Sequence, residues 1–168
     1  MQSDRNRSFE FAARDPRSWE LRADNLKRAA DKVYEICYDA FTSTRNYIKE
    51  GREPDLQDGQ DLTVIQVYYL LMGYALENLL KGILIMRQPE MYVQQGNLTG
   101  LKTHKLVKLF EDCKLPVDQK TKELLEKLTL HIEWQGKYPI PLRAEDRIPG
   151  SYSGILARKI QKEIDQLY

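Results

Sequence analysis

The residues best placed to do chemistry sit inside an apolar stretch. Leu62 to Met86 is strongly hydrophobic, yet it carries Glu77 and Lys81. At helical spacing Gln66, Gly73, Glu77 and Lys81 fall on one face, with Tyr74 beside them. Glu77 precedes Lys81 by four residues, the favourable order for an ion pair. Charges buried in an apolar helix are costly unless partnered. The spacing therefore supports two readings: an ion pair that fixes helix register, or a polar groove lined by Glu77, Lys81 and a partner from another helix. Gly73 and Gly82 permit close helix approach under either reading.

Of the two histidines, His104 is the candidate catalytic residue. It lies in Thr103-His104-Lys105-Leu106, at a helix start, where its imidazole can meet Glu77 or an anion held by free backbone N–H groups. The plain alternative is a capping or core histidine. His131 reads as a boundary residue at the edge of an apolar face. In Trp134 to Arg147, Trp134 and Tyr138 interleave with Lys137, Arg143 and Arg147, a pattern suited to stacking on bases and contacting phosphates. Glu145 and Asp146 dilute it, and a loop pinned by its aromatics explains it too. Lys102, Lys105 and Lys108 recur every three residues, as phosphate contacts or as a solvated face.

Several chemistries find no residues to support them. The sequence holds no HExxH, CxxC, GxSxG or EF-hand loop, and no Gly-rich loop following a strand. No cofactor and no metal site are expected. Cys37 and Cys113 each sit on an apolar helical stripe and read as small buried hydrophobes. The 26 basic and 25 acidic residues give no global basic field, so nucleic-acid binding cannot be argued from net charge.

The elements that must position these residues are helical. A chain of 168 residues suits one domain, and 42% hydrophobic against 30% charged residues excludes general disorder. Residues 1–14 are polar and Arg-rich and read as a flexible arm, docked at most by Phe9 and Phe11. Residues 15–168 read as a single helical domain. Asp15-Pro16 is a helix start, and Trp19, Leu26, Val33, Ala40 and Tyr47 recur every seven residues, so 16–50 reads as one long amphipathic helix ended by Gly51. After a polar loop, 61–87 reads as a second helix, apolar nearly all round and hence central. Its longest uncharged run is Leu62 to Leu76, short of the roughly 20 apolar residues a membrane span needs. With no apolar run behind Met1 to Arg7, a soluble, cytoplasmic protein without membrane contact is expected.

Gln88 to Gly100 reads as a loop, Thr103 as the cap of a short helix, and Asp118 as the cap of a fourth helix carrying Leu124, Leu125, Leu128 and Ile132. Trp134 to Pro141 should be irregular. A last helix starts at Ser151 or Ser153 with Leu156, Ile160, Ile164 and Leu167 on its face. The expected fold is all-α, an antiparallel bundle of four to five helices, two of them long.

Three stretches in order carry a resemblance. Gly73-Tyr-Ala-Leu-Glu77-Asn-Leu-Leu-Lys81-Gly82 is similar to the "ALE-x-x-LKG" helix of the HEPN superfamily of helical-bundle proteins. Thr103-His104-Lys-Leu106-Val-Lys-Leu109 is similar to their "GH-x-L-x-x-L" helix start, and Trp134-Gln-Gly136-Lys137-Tyr138-Pro139-Ile-Pro141 to a "W-x-G-R-Y-P-x-P" turn of bacterial members. The resemblance covers roughly residues 20–165. It implies a homodimeric α-bundle, often a ribonuclease of toxin–antitoxin, abortive-infection or CRISPR-linked defence. The usual catalytic motif there is Arg-x(4–6)-His, in which His assists 2′-OH attack on phosphate and Arg steadies charge. This sequence departs from it: Asn97, Leu98 and Thr99 precede His104 at the required offsets, Leu124, Leu125 and Glu126 precede His131, and Arg45-Asn46 has no His within reach.

The leading expectation is therefore a HEPN-like protein that binds RNA or a nucleotide without the usual nuclease motif. Lys81 would meet phosphate, His104 would donate to it or relay a proton, Glu77 would orient one of them, and Tyr138 would stack. Tyr74, Lys105, Lys137 and Arg143 complete the candidate ligand-binding set. The alternatives are a metal-independent ribonuclease built on His104, Lys81 and Lys137, or a non-catalytic helical partner for an antitoxin or neighbouring effector.

Overall fold

Asp15 sits in extended conformation and its carboxylate accepts the Arg17 N–H at 3.1 Å, while Pro16 occupies the first helical position, where its missing N–H costs nothing. Helix α2, Pro16–Lys49, runs on from this cap. The structure, a computed structural model, describes residues 2–94 and 96–137. Tyr138, Arg143 and the expected last helix lie outside the described residues. The described part is an all-α helical bundle.

Helix α1, Gln2–Arg14, replaces the flexible arm expected over residues 1–14. Its stability is tertiary, which is why local sequence does not announce it. Both terminal nitrogens of Arg14 donate to the Glu90 carboxylate, at 2.5 and 3.0 Å, and the Gly96 N–H donates to Glu10 Oε1 at 3.0 Å. The Trp19 indole N–H donates to the Ala13 carbonyl at 2.9 Å. Phe9 lines a cavity of about 290 Å³ with Ala13, Trp19, Asn78 and Leu98, whereas Phe11 is exposed.

Asp55 caps α3, Leu56–Thr63, by accepting the Gln57 N–H at 2.9 Å, so the loop expected before residue 61 is largely helical. Val64 separates it from α4, Ile65–Arg87. Helices α2 and α4 share the most extensive interface among the described elements. Two glycines of α4 allow it. A Cβ on Gly82 would stand 2.7 Å from Trp19 Cβ, and one on Gly73 would stand 2.8 Å from Ile132 Cγ1. α4 is thus wedged between α2 and the elements after residue 118, the central position its all-round apolarity requires. By length and composition the helical stretch Leu56–Arg87 could cross a membrane, but half of its most apolar window is buried inside the protein, as in the core helix of a soluble protein.

Beyond α4 come α5, Pro89–Tyr92, and a minimal antiparallel hairpin of β1, Val93–Gln94, and β2, Asn97–Leu98, with Val93 opposite Leu98. Two-residue strands leave no alternating pattern to read. Helix α6 is Leu106–Asp112. Helix α7, Gln119–Leu130, is capped by Asp118, whose carboxylate accepts the Thr121 N–H at 2.7 Å. It passes into a wide π-helical turn, His131–Gln135. The core gathers Leu80, Ile85, Leu106, Leu109, Leu125 and Ile132, all fully buried. Cys37 and Cys113 are buried free thiols, as the stripes predict.

Candidate functional site

Glu77 and Lys81 project from the same face of α4, one turn apart, and both are buried, at 5% and 8% exposure. Lys81 Nζ donates to Glu77 Oε1 at 2.5 Å. The second carboxylate oxygen points elsewhere: Glu77 Oε2 lies 2.9 Å from His104 Nδ1. An ionised carboxylate only accepts, so His104 must carry its proton on Nδ1 and donate it. In the neutral ring Nε2 is then the basic site, and no described residue bonds to it. The His104 side chain is 45% exposed, so the dyad joins a buried charge to a solvent-reachable imidazole. It is set by tertiary packing, since the two residues are 27 apart in sequence.

Tyr74, one turn before Glu77, stands edge-on to the His104 ring, with centroids 6.5 Å apart and planes at 77°. Lys137 Nζ lies 5.6 Å from the centre of the Tyr74 ring, a cation–π placement. Gly136 makes this approach feasible, because a Cβ there would sit 2.6 Å from Leu70 Cβ on α4. Five candidates thus converge: Tyr74, Glu77, Lys81, His104 and Lys137. Their arrangement can hold a hydroxyl at the His104 acceptor, or an anion beside Lys137 and a protonated imidazole.

Within this cluster Lys81 is spent on Glu77, so its charge supports the site from below rather than facing a ligand, against the expectation that it meets phosphate. Lys105 lines a different cleft of about 490 Å³ between α6 and α7, with Lys108, Glu126, Thr129 and Glu133. Its N–H donates to Thr103 Oγ1 at 3.1 Å, but Lys105 itself is the N-cap of α6 and no side chain caps that helix, so Thr103, expected as the cap, stands two residues too early. Lys108 is paired with Asp112 at 2.8 Å, which identifies part of the Lys102–Lys105–Lys108 row as a solvated ion-pair face.

A second polar contact escapes sequence reasoning. His131 is 6% exposed rather than at a boundary. Its Nδ1 lies 2.8 Å from the Lys127 carbonyl and its Nε2 lies 2.8 Å from the Gln66 carboxamide, under the Tyr69 ring at 4.8 Å. Burial lowers its pKa from 6.5, opposed by the Lys127 carbonyl. Both ring nitrogens face oxygens, the Lys127 carbonyl and Gln66 Oε1, so in either contact an imidazole N–H is the donor, and the neutral ring donates from one nitrogen at a time. Gln66 shares a helical face with Glu77, and that was the one available signal; the partner 65 residues away could not be read. Burial also pushes the Cys37 and Cys113 thiols up, so neither is an activated nucleophile.

No group of His, Cys, Asp and Glu among the described residues could hold a metal ion. Compared with family models, curated proteins and solved structures, the chain matches none.

Proposed function

We propose that this chain is a HEPN-like helical-bundle protein that binds RNA or a nucleotide at the Tyr74–His104–Lys137 cluster, without the Arg-x(4–6)-His motif. The observation that carries the reading is the split of the Glu77 carboxylate. One oxygen takes Lys81 in the interior, and the other holds a half-exposed imidazole beside an aromatic ring and Lys137. A ribose hydroxyl would donate to His104 Nε2, and a neighbouring phosphate would sit against Lys137. The cytoplasm, a homodimer and a protein partner such as an antitoxin or defence effector belong to the same reading, through the motif resemblance alone.

Anisotropy of a labelled single-stranded RNA, and competition by free nucleotides, test it. Affinity should fall with salt by about 0.7 log unit per log unit of salt for each phosphate contacted. His104→Ala and Lys137→Ala should each weaken binding, while Lys122→Ala in the other cleft should not. Salt-independent binding, or binding indifferent to His104→Ala, refutes the site.

A second reading has its own support. A buried carboxylate that fixes Nδ1–H leaves Nε2 placed as a general base, the arrangement a metal-independent ribonuclease requires. Labelled RNA would then yield 2′,3′-cyclic phosphate ends, lost in His104→Ala. Products unchanged in that variant, or none from the wild type, remove this reading and leave binding.

A further inference from the structure

Helix α1 lies against the rest of the bundle without filling all the space beneath it. The cavity of about 290 Å³ left there is graded from its inner end to its mouth. Ala13, Trp19, Asn78 and Leu98 line the inner end and are buried or half-buried. Phe9, Ala12, Ser18 and Arg22 are exposed and line the mouth. The lining is mainly apolar and holds one cation, and no acidic side chain among the described residues takes part in it.

The charge at the mouth is uncommitted. Arg14 is engaged with Glu90 and Arg17 with Asp15, but Arg22 has no ion-pair partner among the described residues. Ser18 and Arg22 stand four residues apart on α2, so both rise from one face of that helix, with Trp19 beside them. At the inner end the Trp19 indole N–H is spent on the Ala13 carbonyl, so the indole meets a ligand with apolar surface alone. At about 30 Å³ for each water-sized group, the space takes about ten non-hydrogen atoms. An apolar body of that size belongs at the inner end. A planar monoanion belongs at the mouth, where a guanidinium can donate two parallel N–H bonds to a carboxylate and a serine hydroxyl can add a third bond. We propose that this cavity binds a small apolar monocarboxylate of about ten non-hydrogen atoms, its hydrocarbon part against Trp19 and Leu98 and its carboxylate on Arg22 and Ser18. The cavity shares no residue with the Tyr74–His104–Lys137 cluster, so binding there is independent of the RNA or nucleotide reading.

Octanoate and 3-phenylpropanoate, a chain and a ring of this size, are the probes. Each is titrated into the full chain by calorimetry and followed by NMR at the Trp19 indole N–H. One or both should bind, one molecule per chain, with a Kd of about 1 mM or tighter, well under the per-atom ceiling for small ligands. The Trp19 cross-peak should move in step with the heat, and the acid that binds more tightly tells chain from ring. Arg22→Gln should weaken the binding at least about fivefold, because the charge-assisted bonds are lost. Arg22 is exposed, so this variant keeps the fold. The corresponding alcohol should bind more weakly than the acid, and equally to both proteins. No binding of either acid at several times that concentration overturns the proposal. So does binding that leaves the Trp19 cross-peak in place, because the acid then sits elsewhere, and so does equal affinity of wild type and Arg22→Gln, because the carboxylate then goes unrecognised.

Discussion

Lys81→Met is the perturbation that weighs the buried pair. At 2.5 Å, with an effective dielectric constant of about 20, the Lys81–Glu77 attraction amounts to roughly 7 kcal/mol before desolvation is subtracted. Both side chains are at least nine-tenths buried, so solvent screening removes little of it. Desolvation of the two ions offsets much of that attraction, so the net loss is smaller. His104 continues to donate to Oε2 in the variant and softens the loss further. The expected cost is therefore about 3–4 kcal/mol, within the usual range for removing one partner of a buried pair. For a domain of this size that lowers Tm by on the order of 10 °C. Glu77→Leu alone should cost a similar amount, since it strands a buried ammonium. The double variant Glu77→Leu/Lys81→Met removes both charges and should lie within about 1 kcal/mol of the wild type. Urea denaturation of all four proteins gives the cycle directly. Costs that simply add, with a coupling energy below about 0.5 kcal/mol, would refute the reasoning, because the two charges would then not be compensating each other.

Gly73→Ala should destabilise by about 1–3 kcal/mol in the same denaturation assay, because its methyl would meet the Ile132 side chain and, at 3.3 Å, the Leu128 carbonyl; a neutral substitution would mean that α7 sits further from α4. His131 predicts a pH dependence. Its folded pKa is depressed by burial, so the unfolded chain binds the extra proton first, and stability is lost as pH falls below about 6.5, the ordinary value. The slope reaches at most about 1.4 kcal/mol per pH unit from this one group. His131→Leu should flatten the stability profile just below pH 6.5, ahead of carboxylate titration, and an unchanged profile in that variant would show that folding does not shift the proton affinity of the ring.

What could be read in the sequence was what repeats locally. The seven-residue recurrence from Trp19 to Tyr47 reports a stripe that meets one neighbour, and α2 follows it from Pro16 to Lys49. The Asp15, Asp55 and Asp118 caps act within three residues of themselves; the first and last were legible, while Asp55 was lost in a polar stretch with two glycines nearby. Helix α1 was illegible because its ties, Arg14 to Glu90 and Glu10 to Gly96, span 76 and 86 residues. The candidate site divides in the same way. Glu77 and Lys81 announced themselves by spacing, and His104 by its place at a helix start. That all three share one carboxylate, and that Lys105 turns into another cleft, depends on how α6 lies across α4.

That sharing dissolves the choice between a register-fixing ion pair and a functional groove. Glu77 has two oxygens and gives one to each role. Lys81 allows the charge to exist in the interior, and the existing charge fixes the tautomer of a histidine that reaches solvent. A purely structural pair has no use for the second oxygen at a half-exposed ring, where water could satisfy His104 equally well. A purely functional carboxylate has no need of a partner at 8% exposure. The order of dependence is therefore testable by position. Substitution of Lys81 must disturb both stability and His104, whereas substitution of His104 must leave the Glu77–Lys81 pair, and most of the stability, in place.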